Sequence, residues 1–234
     1  MSGVRRRSGS PGGPRANHQR LSRLRSSVRT GAIVLAGGDS TRMGRSKALL
    51  DWHGVPLLAH LADVARESVS GGPVVIAAAE SQHLPPLRPG IEVVRDANAA
   101  GGPLEGLLAG LYALGDRADR AFVVPVDVPL LRPALGVALL GLLDDTHDAV
   151  VPVIGDRRQP LLAVYRVSLA PVIRALLDEG AGRAGDLPER CRCRWVGAAE
   201  LLADPALAVA DPELESFRNV NTPAELEAAR RRWG

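Results

Sequence analysis

The chain has few cysteines, no long apolar run and a single lysine. Cys191 and Cys193 are the only cysteines among 234 residues, too few for a disulfide framework or, by themselves, a zinc site. No apolar run reaches the roughly 18 to 20 residues that cross a bilayer. No apolar segment follows the basic N-terminus, so we expect no secretory signal peptide. These absences predict a reducing, cytoplasmic setting and no membrane association.

Acidic residues are missing from the first 30 positions, which contain eight arginines. The formal net charge is +3, from 29 Lys and Arg against 26 Asp and Glu. Without residues 1–30 the balance is 21 basic to 26 acidic residues, so the rest of the chain is acidic. The basic character belongs to the N-terminal segment, and the remainder gives no reason to expect a nucleic-acid surface.

Residues 1–29 are rich in Arg, Ser, Gly and Pro and poor in apolar side chains. Such a segment cannot bury enough surface to offset the entropy lost on ordering, so we predict a disordered tail. We favour a non-functional extension, with Val28 as a possible true start, over a tail that binds nucleic acid or an acidic partner. The predicted organisation is a tail at 1–29 and one folded domain at 30–234.

From Thr30 onward, apolar strands alternate with helical segments. Strands are predicted at 32–36, 73–78, 91–94, 121–126, 148–153 and 161–165, with shorter extended pieces at 48–52, 194–196 and 217–220. Helices are predicted at 57–69, 103–114, 133–143 and 169–177, and a capping box from Thr222 to Glu225 begins the last helix. This pattern predicts an α/β fold, a three-layer αβα sandwich with a mainly parallel, Rossmann-like sheet.

Three loops of unusual composition follow predicted strands, at 37–47, 96–103 and 127–129. In parallel α/β sheets, ligands bind beyond the carboxyl ends of the strands, where the strand order reverses. All three loops begin at such ends. We therefore expect them to face one cleft.

The first of these loops has the composition of a phosphate site. The strand before it ends at Ala36, and the loop carries Gly37, Gly38, Arg42 and Lys47. A glycine turn followed by fixed positive charge is typical of anion binding. Lys47 is the only lysine of the chain, which indicates a position that needs a compact ammonium. The loop matches neither G-x-x-x-x-G-K-[ST] nor G-x-G-x-x-G.

The other two loops supply a flat surface and a carboxylate. At Gly102, Pro103 and Leu104 a sugar or flat ring can lie against the backbone, although a plain helix start explains these residues equally well. Asp127 ends an apolar strand, where a carboxylate most often binds a divalent metal that bridges phosphates. No Ser-His-Asp triad is evident, and we interpret the histidines as structural or solvated. Together the loops predict nucleotidyl transfer, with catalytic roles for Asp127, Lys47 and Arg42.

These motifs resemble those of the molybdenum cofactor guanylyltransferases, which have the nucleotide-diphospho-sugar transferase fold. The family motifs L-A-G-G-x-x-x-R-M-G-x-x-K, G-P-L-x-G, D-x-P and N-x-N-T-P-x-E-L match residues 35–47, 102–106, 127–129 and 219–226. The resemblance implies that GTP and molybdopterin cofactor are joined to give the guanine dinucleotide cofactor and pyrophosphate, with Mg²⁺. It also implies a monomer or weak oligomer, with molybdoenzymes or other cofactor-synthesis proteins as further partners.

The resemblance also implies roles for individual residues. GTP is expected to contact Leu35, Ala36, Gly37, Lys47 and Asp96, and Mg²⁺ is expected on Asp127. The Gly37-Gly38 pair is similar to the guanine-using branch, because cytidine-using relatives tend to have L-A-A-G. Asn219 and Asn221 resemble positions that face molybdopterin. Ala77 and Glu105 depart from the family pattern, where Asn and a small residue are found.

Several alternatives stay open. Cytidylyl transfer to the same cofactor, or guanylyl transfer to phospholactate or a sugar phosphate, keeps the chemistry and changes one substrate. The stretch 180–211 matches the family poorly and would shape the acceptor site. An inactive paralogue that binds the cofactor for molybdoenzymes is a non-enzymatic alternative, against which the intact Arg42, Lys47 and Asp127 argue.

Overall fold

The computed structural model describes residues 28–37, 46–96, 102–180 and 182–233, with Asp96 described by its backbone alone. The predicted tail at 1–29 lies outside these residues except for Val28 and Arg29. The main-chain N–H of Arg29 donates to Asp119 Oδ2 at 2.8 Å, and its guanidinium pairs with Asp119 Oδ1 at 2.9 Å. The described chain is therefore attached to the folded body from Arg29 onward.

Most strands of the described residues belong to one sheet. They are β1 (Thr30–Leu35), β4 (Val74–Ala79), β5 (Ile91–Asp96), β6 (Arg120–Pro125), β7 (Ala149–Ile154), β8 (Arg157–Arg158), β9 (Ala163–Arg166) and β10 (Cys193–Gly197). A separate antiparallel pair comprises β2 (Asp51–Trp52) and β3 (Val55–Pro56). The order is β10-β7-β9-β6-β1-β4-β5, with β8 beside β7. Only β8 and β9 pair antiparallel with their neighbours in the described sheet, which confirms the mainly parallel sheet.

Helices cover both faces of the sheet. They are α1 (Leu57–Ser68), α2 (Gly102–Leu114), α3 (Pro133–Leu142), α4 (Ala170–Asp178), α5 (Ala198–Leu201), α6 (Pro205–Ala210) and α7 (Pro223–Arg232). Short 3-10 turns lie at Lys47–Leu49, Gly115–Arg117, Val167–Leu169, Ala184–Arg190 and Glu215–Phe217. Helices α2 and α4 pack on one face, and the other long helices pack on the opposite face. The three-layer sandwich is thus confirmed. Within the described ranges, no helix has the length and apolarity to cross a membrane.

The central strand β1 shows why the apolar pattern predicted the fold. Ala32 and Val34 belong to the core on the α1 face, while Ile33 and Leu35 belong to the core on the α2 face. Successive strand residues point to opposite faces, so a strand covered by helices on both sides needs apolar residues throughout. The leucine stripe of α2 is likewise buried, with every leucine at most 1% exposed.

Gly110 allows α2 to pack closely on β1. A Cβ at this position would lie 2.6 Å from Ile33 Cγ2, closer than real contacts. Alanine favours a helix by about 1 kcal/mol over glycine, but overpacking a core typically costs about 1–3 kcal/mol. We expect Gly110→Ala to lower the Tm by about 4 °C in thermal denaturation. Gly141→Ala, in α3 with open space around its Cβ, is the matched control and should cause no loss.

The final predicted strand, at 217–220, is wrong. Phe217 ends a 3-10 turn whose first N–H groups, those of Glu215 and Ser216, donate to the Asp211 carboxylate at 2.7 and 3.0 Å. Further along, the Val220 N–H donates to the Asp127 carbonyl at 2.7 Å. The apolar side chains of Phe217 and Val220 are buried as a strand would require, but the main-chain N–H groups donate to carbonyls of the 3-10 turn and of Asp127 instead of a sheet neighbour.

The predicted extended piece at 48–52 is only half correct. Lys47–Leu49 forms a 3-10 turn, and only Asp51–Trp52 is extended. The Leu57 N–H donates to the Leu50 carbonyl at 2.8 Å, so the start of α1 holds this segment in a tight connection. The sequence also did not reveal the short strand β8 or the short helices α5 and α6, which are below the length at which periodicity is informative.

Candidate functional site

The site lies at the carboxyl edge of the parallel strands. Strands β4 and β5 follow β1 on one side, and β6 lies on its other side, so the strand order reverses between β1 and β6. Crevices that bind ligands in doubly wound sheets form at such reversals. The three predicted loops begin at this edge because β1, β5 and β6 run in the same direction.

Lys47 joins residues that are far apart in the chain. Its Nζ lies 2.8 Å from Asn221 Oδ1 and 3.4 Å from Asp127 Oδ2. The Lys47 and Asp127 side chains are 16% and 22% exposed, so this ion pair is less screened by solvent than a surface pair. The structure therefore brings together three residues that sequence reasoning assigned to phosphate, metal and acceptor.

The capping box of α7 positions Asn221. Glu225 Oε2 accepts the N–H groups of Asn221 and Thr222 at 2.7 and 2.9 Å, and Thr222 Oγ1 accepts the Glu225 N–H at 3.2 Å. These hydrogen bonds, above all the one from Asn221, lower the pKa of Glu225. The predicted capping box is confirmed. It fixes the backbone from which Asn221 reaches Lys47.

The carboxylate of Asp127 has an oxygen that can accept a further donor or bind a cation. Its Oδ1 is buried and has no hydrogen-bond partner in the described part of the chain. A buried oxygen of this kind is destabilising until a donor or a cation satisfies it. The described residues contain no group of three or more His, Cys, Asp or Glu that is arranged to hold a metal ion by itself. Mg²⁺ is commonly bound by one or two carboxylates, with substrate phosphates and water as its other ligands. The single carboxylate of Asp127 therefore fits a divalent cation.

His60 supports the loop that follows Asp127. Its Nε2 donates to the Pro129 carbonyl at 3.1 Å. The imidazole packs against Trp52 and Trp233, with ring centroids 5.8 and 5.0 Å away. Burial lowers the pKa of His60, so the ring is neutral at pH 7. His60 is thus a structural histidine beneath the candidate site.

His60 should make stability depend on pH in mildly acidic solution. Its pKa is lowered in the folded state, so the unfolded chain binds a proton more readily, and stability falls as the pH drops below the ordinary value of 6.5. We expect the Tm to fall from pH 7.5 to 5.5. In His60→Gln, which cannot be protonated there, the fall should be smaller. His83→Gln, at an exposed position, should retain the wild-type dependence, and equal slopes in all three proteins would contradict the assignment.

The other predicted contacts differ in what they can offer a ligand. Leu35, Ala36 and Leu104 are at most 6% exposed, so a ligand can reach mainly their backbone. Gly37 is exposed, and Gly102 begins α2 with a φ of +68°. Pro103 and Asn219 are also exposed. Gly38 and Arg42 lie outside the described residues, and only the backbone of Asp96 at the end of β5 is described. These nucleotide and acceptor contacts stay predictions.

Gln82 was not singled out by the sequence, although it contacts both sides of the first loop. Its side-chain amide donates to the Ala36 carbonyl at 2.7 Å and to Ser46 Oγ at 3.3 Å. An isolated glutamine in a polar turn gives no local signal for such a role. Only its spatial neighbours identify it.

The two cysteines are half-buried thiols beside the core on the α2 face. Burial raises the pKa of Cys191 to about 11 and that of Cys193 to about 12. Both are therefore protonated and weakly nucleophilic at neutral pH. Cys193 begins β10, which is an edge strand of the sheet, and Cys191 lies just before it.

The chain matches the family model of the MobA-like NTP transferase domain over residues 32–190. It belongs to this family. Probable molybdenum cofactor guanylyltransferases from Bacillus cereus (strain AH820) and Bacillus thuringiensis (strain Al Hakam) are each 31% identical over 201 residues, 85% of this chain and 94% of the relative. The predicted family and the nucleotidyltransferase class are confirmed.

Solved structures show the same fold. Molybdopterin-guanine dinucleotide biosynthesis protein A from Archaeoglobus fulgidus has a TM-score of 0.67 at 24% identity, covering 86% of this chain and 97% of that protein. The 2-C-methyl-D-erythritol 4-phosphate cytidylyltransferase from Thermus thermophilus has a TM-score of 0.60 at 16% identity, covering 86% and 97%. The fold is therefore shared by a protein named for molybdopterin-guanine dinucleotide biosynthesis and by a cytidylyltransferase.

Proposed function

We propose that this chain transfers GMP from GTP to the molybdopterin cofactor and releases pyrophosphate. Family membership supplies the class of reaction, and guanylyltransferases are among the relatives that match 85% of the chain. The observation that carries the proposal is the meeting of Lys47, Asp127 and Asn221 at the point where the strand order reverses.

In the proposed reaction, an oxygen of the acceptor phosphate attacks the α-phosphorus of GTP. The bond from that phosphorus to the bridging oxygen breaks, and pyrophosphate leaves with the electron pair. Lys47 offsets the charge that develops on the phosphates, and Arg42 is proposed to bind the leaving pyrophosphate. Asp127 would hold Mg²⁺, which supplies charge neutralisation at the phosphates when bound. Catalysis of this type depends mainly on positioning and electrostatics.

The proposed substrate sites lie on either side of Lys47. The nucleotide base and sugar are assigned to the backbone at 35–38, to Asp96 and to the start of α2 at Gly102, Pro103 and Leu104. The acceptor is assigned to Asn219 and Asn221. Because Asn221 Oδ1 already accepts a hydrogen bond from Lys47, this residue links the phosphate site to the acceptor side.

Pyrophosphate release tests this proposal. The protein is incubated with Mg²⁺, molybdopterin cofactor and each NTP in turn, and reactions without the acceptor measure simple hydrolysis. Acceptor-dependent release with GTP alone supports guanylyl transfer. A preference for CTP would reject the base assignment, and release only with phospholactate or a sugar phosphate would reject the acceptor. No release with any acceptor would favour a cofactor-binding protein without activity.

We also propose the finer properties that the resemblance implies. Mg²⁺ is the proposed metal, since Asp127 fits a hard cation with few protein ligands. The cytoplasm is the proposed compartment, supported by two free cysteine thiols. A monomer or weak oligomer that passes its product to molybdoenzymes is the proposed assembly. Transfer is proposed to require none of residues 1–28, because the described chain is attached to the folded body from Arg29 onward, where Arg29 pairs with Asp119.

A further inference from the structure

The Gln82 side chain connects two points that lie ten residues apart in the chain. Ala36, whose carbonyl accepts from Nε2 at 2.7 Å, directly follows β1. Ser46, whose hydroxyl accepts from the same nitrogen at 3.3 Å, directly precedes Lys47. One amide group therefore sets the separation between the end of the central strand and the residue before the only lysine.

Gln82 is itself held in place from the neighbouring strand. Its main-chain N–H donates to the Ala79 carbonyl at 3.0 Å, which closes a turn after β4. Arg95 of β5 donates from Nη1 to the carbonyls of Ala79 and Gln82 at 2.9 and 2.7 Å. The amide is thus oriented before any ligand arrives, because its backbone is fixed by a charged donor from a second strand.

Stability alone does not account for a glutamine at this position. Gln82 Oε1 is buried and lacks a hydrogen-bond partner among the residues that the structure describes. A buried unpaired carbonyl oxygen destabilises a fold, and this cost offsets the hydrogen bonds that the amide nitrogen donates. What glutamine contributes here, and an apolar residue cannot, is the pair of N–H groups directed at Ala36 and Ser46.

We propose that Gln82 is a positioning residue for the nucleotide. It holds the Ala36 carbonyl and the Ser46 hydroxyl, so that the backbone at Ala36-Gly37 and the Lys47 ammonium keep a fixed separation. This inference rests on the proposed function, in which both groups contact GTP. Gln82 contacts Ala36 and Ser46 directly, whereas it is linked to Asn221 only through Lys47, so its effect on GTP binding should exceed its effect on acceptor binding.

Gln82→Met tests the inference, because methionine keeps the length of the side chain and removes both N–H donors. We expect the Kd for GTP, measured by calorimetry without acceptor, to rise about tenfold, which corresponds to about 1.4 kcal/mol. The KM for GTP should rise equally, the KM for the acceptor should change less than about twofold, and the Tm should stay within about 3 °C. Ser81→Ala, at the exposed neighbouring position, is the control and should match wild type.

A second pair of variants separates positioning from loss of fold. Gln82→Glu keeps the shape but places a carboxylate against the Ala36 carbonyl, so its Kd for GTP should rise further than that of Gln82→Met. As a single variant, Ser46→Ala should raise the Kd for GTP. Combined with Gln82→Met it should raise the Kd little further, because the contact between the two residues is already lost. A wild-type Kd in Gln82→Met, or an equal rise in both KM values, would overturn the inference. Failure of the proposed function would appear separately, in the transfer assay of the wild-type protein.

Discussion

Replacement of Asp127 by Asn is expected to lower kcat for GMP transfer by about 1000-fold, equivalent to about 4 kcal/mol of transition-state stabilisation. The change is isosteric, and the main-chain bond from the Val220 N–H to the Asp127 carbonyl does not depend on the side chain. The lost charge is the one proposed to hold a divalent cation, and it pairs with Lys47. Activity should therefore fall without loss of the fold.

The measurement for Asp127→Asn is acceptor-dependent pyrophosphate release over a titration of Mg²⁺. Thermal denaturation is measured in parallel. It should show no large loss of Tm, because the wild-type Oδ1 is already buried without a partner among the described residues. Asp178→Asn, at the exposed end of α4, is the control for removing a carboxylate elsewhere. A variant that retains more than a tenth of wild-type kcat would remove Asp127 as the proposed metal ligand.

Lys47→Met should lower kcat/KM for GTP by about 100- to 1000-fold, which corresponds to about 3–4 kcal/mol. The ammonium lies between Asn221 Oδ1 and Asp127 Oδ2, where it can offset phosphate charge in the ground state and the transition state. Both KM and kcat should therefore change. Lys47→Arg should recover less than a tenth of the lost activity, because a planar guanidinium differs in size and geometry from the compact ammonium that contacts Asp127 and Asn221.

Steady-state kinetics with varied GTP and saturating acceptor measure these changes. Asn221→Ala serves as a partner variant, since it removes the 2.8 Å contact and leaves the charge of Lys47 in place. Its effect should be smaller than that of Lys47→Met, and the double variant should be no worse than Lys47→Met alone. Full activity in Lys47→Arg would show that positive charge is sufficient and would contradict the argument from the single lysine.

The order of strands and helices could be predicted because burial on two faces leaves a local pattern. Ile33 and Val34 face different cores, so β1 had to be apolar throughout. The same reasoning was wrong at Phe217–Val220, where both end residues are buried but the main chain does not join the sheet. An apolar pattern reports burial of side chains and does not report where the N–H and carbonyl groups find partners.

The candidate site was predictable where residue types alone indicate the chemistry, and not where it depends on which residues meet. The glycine turn after Ala36, the lone Lys47 and the strand-end Asp127 are local features whose residue types indicate phosphate and metal chemistry without knowledge of their neighbours. The contacts between Lys47 and Asn221, between Gln82 and Ala36, and between His60 and Pro129 join residues 174, 46 and 69 positions apart. At such separations, the packing of whole elements decides which side chains meet, so these contacts emerged only from the folded molecule.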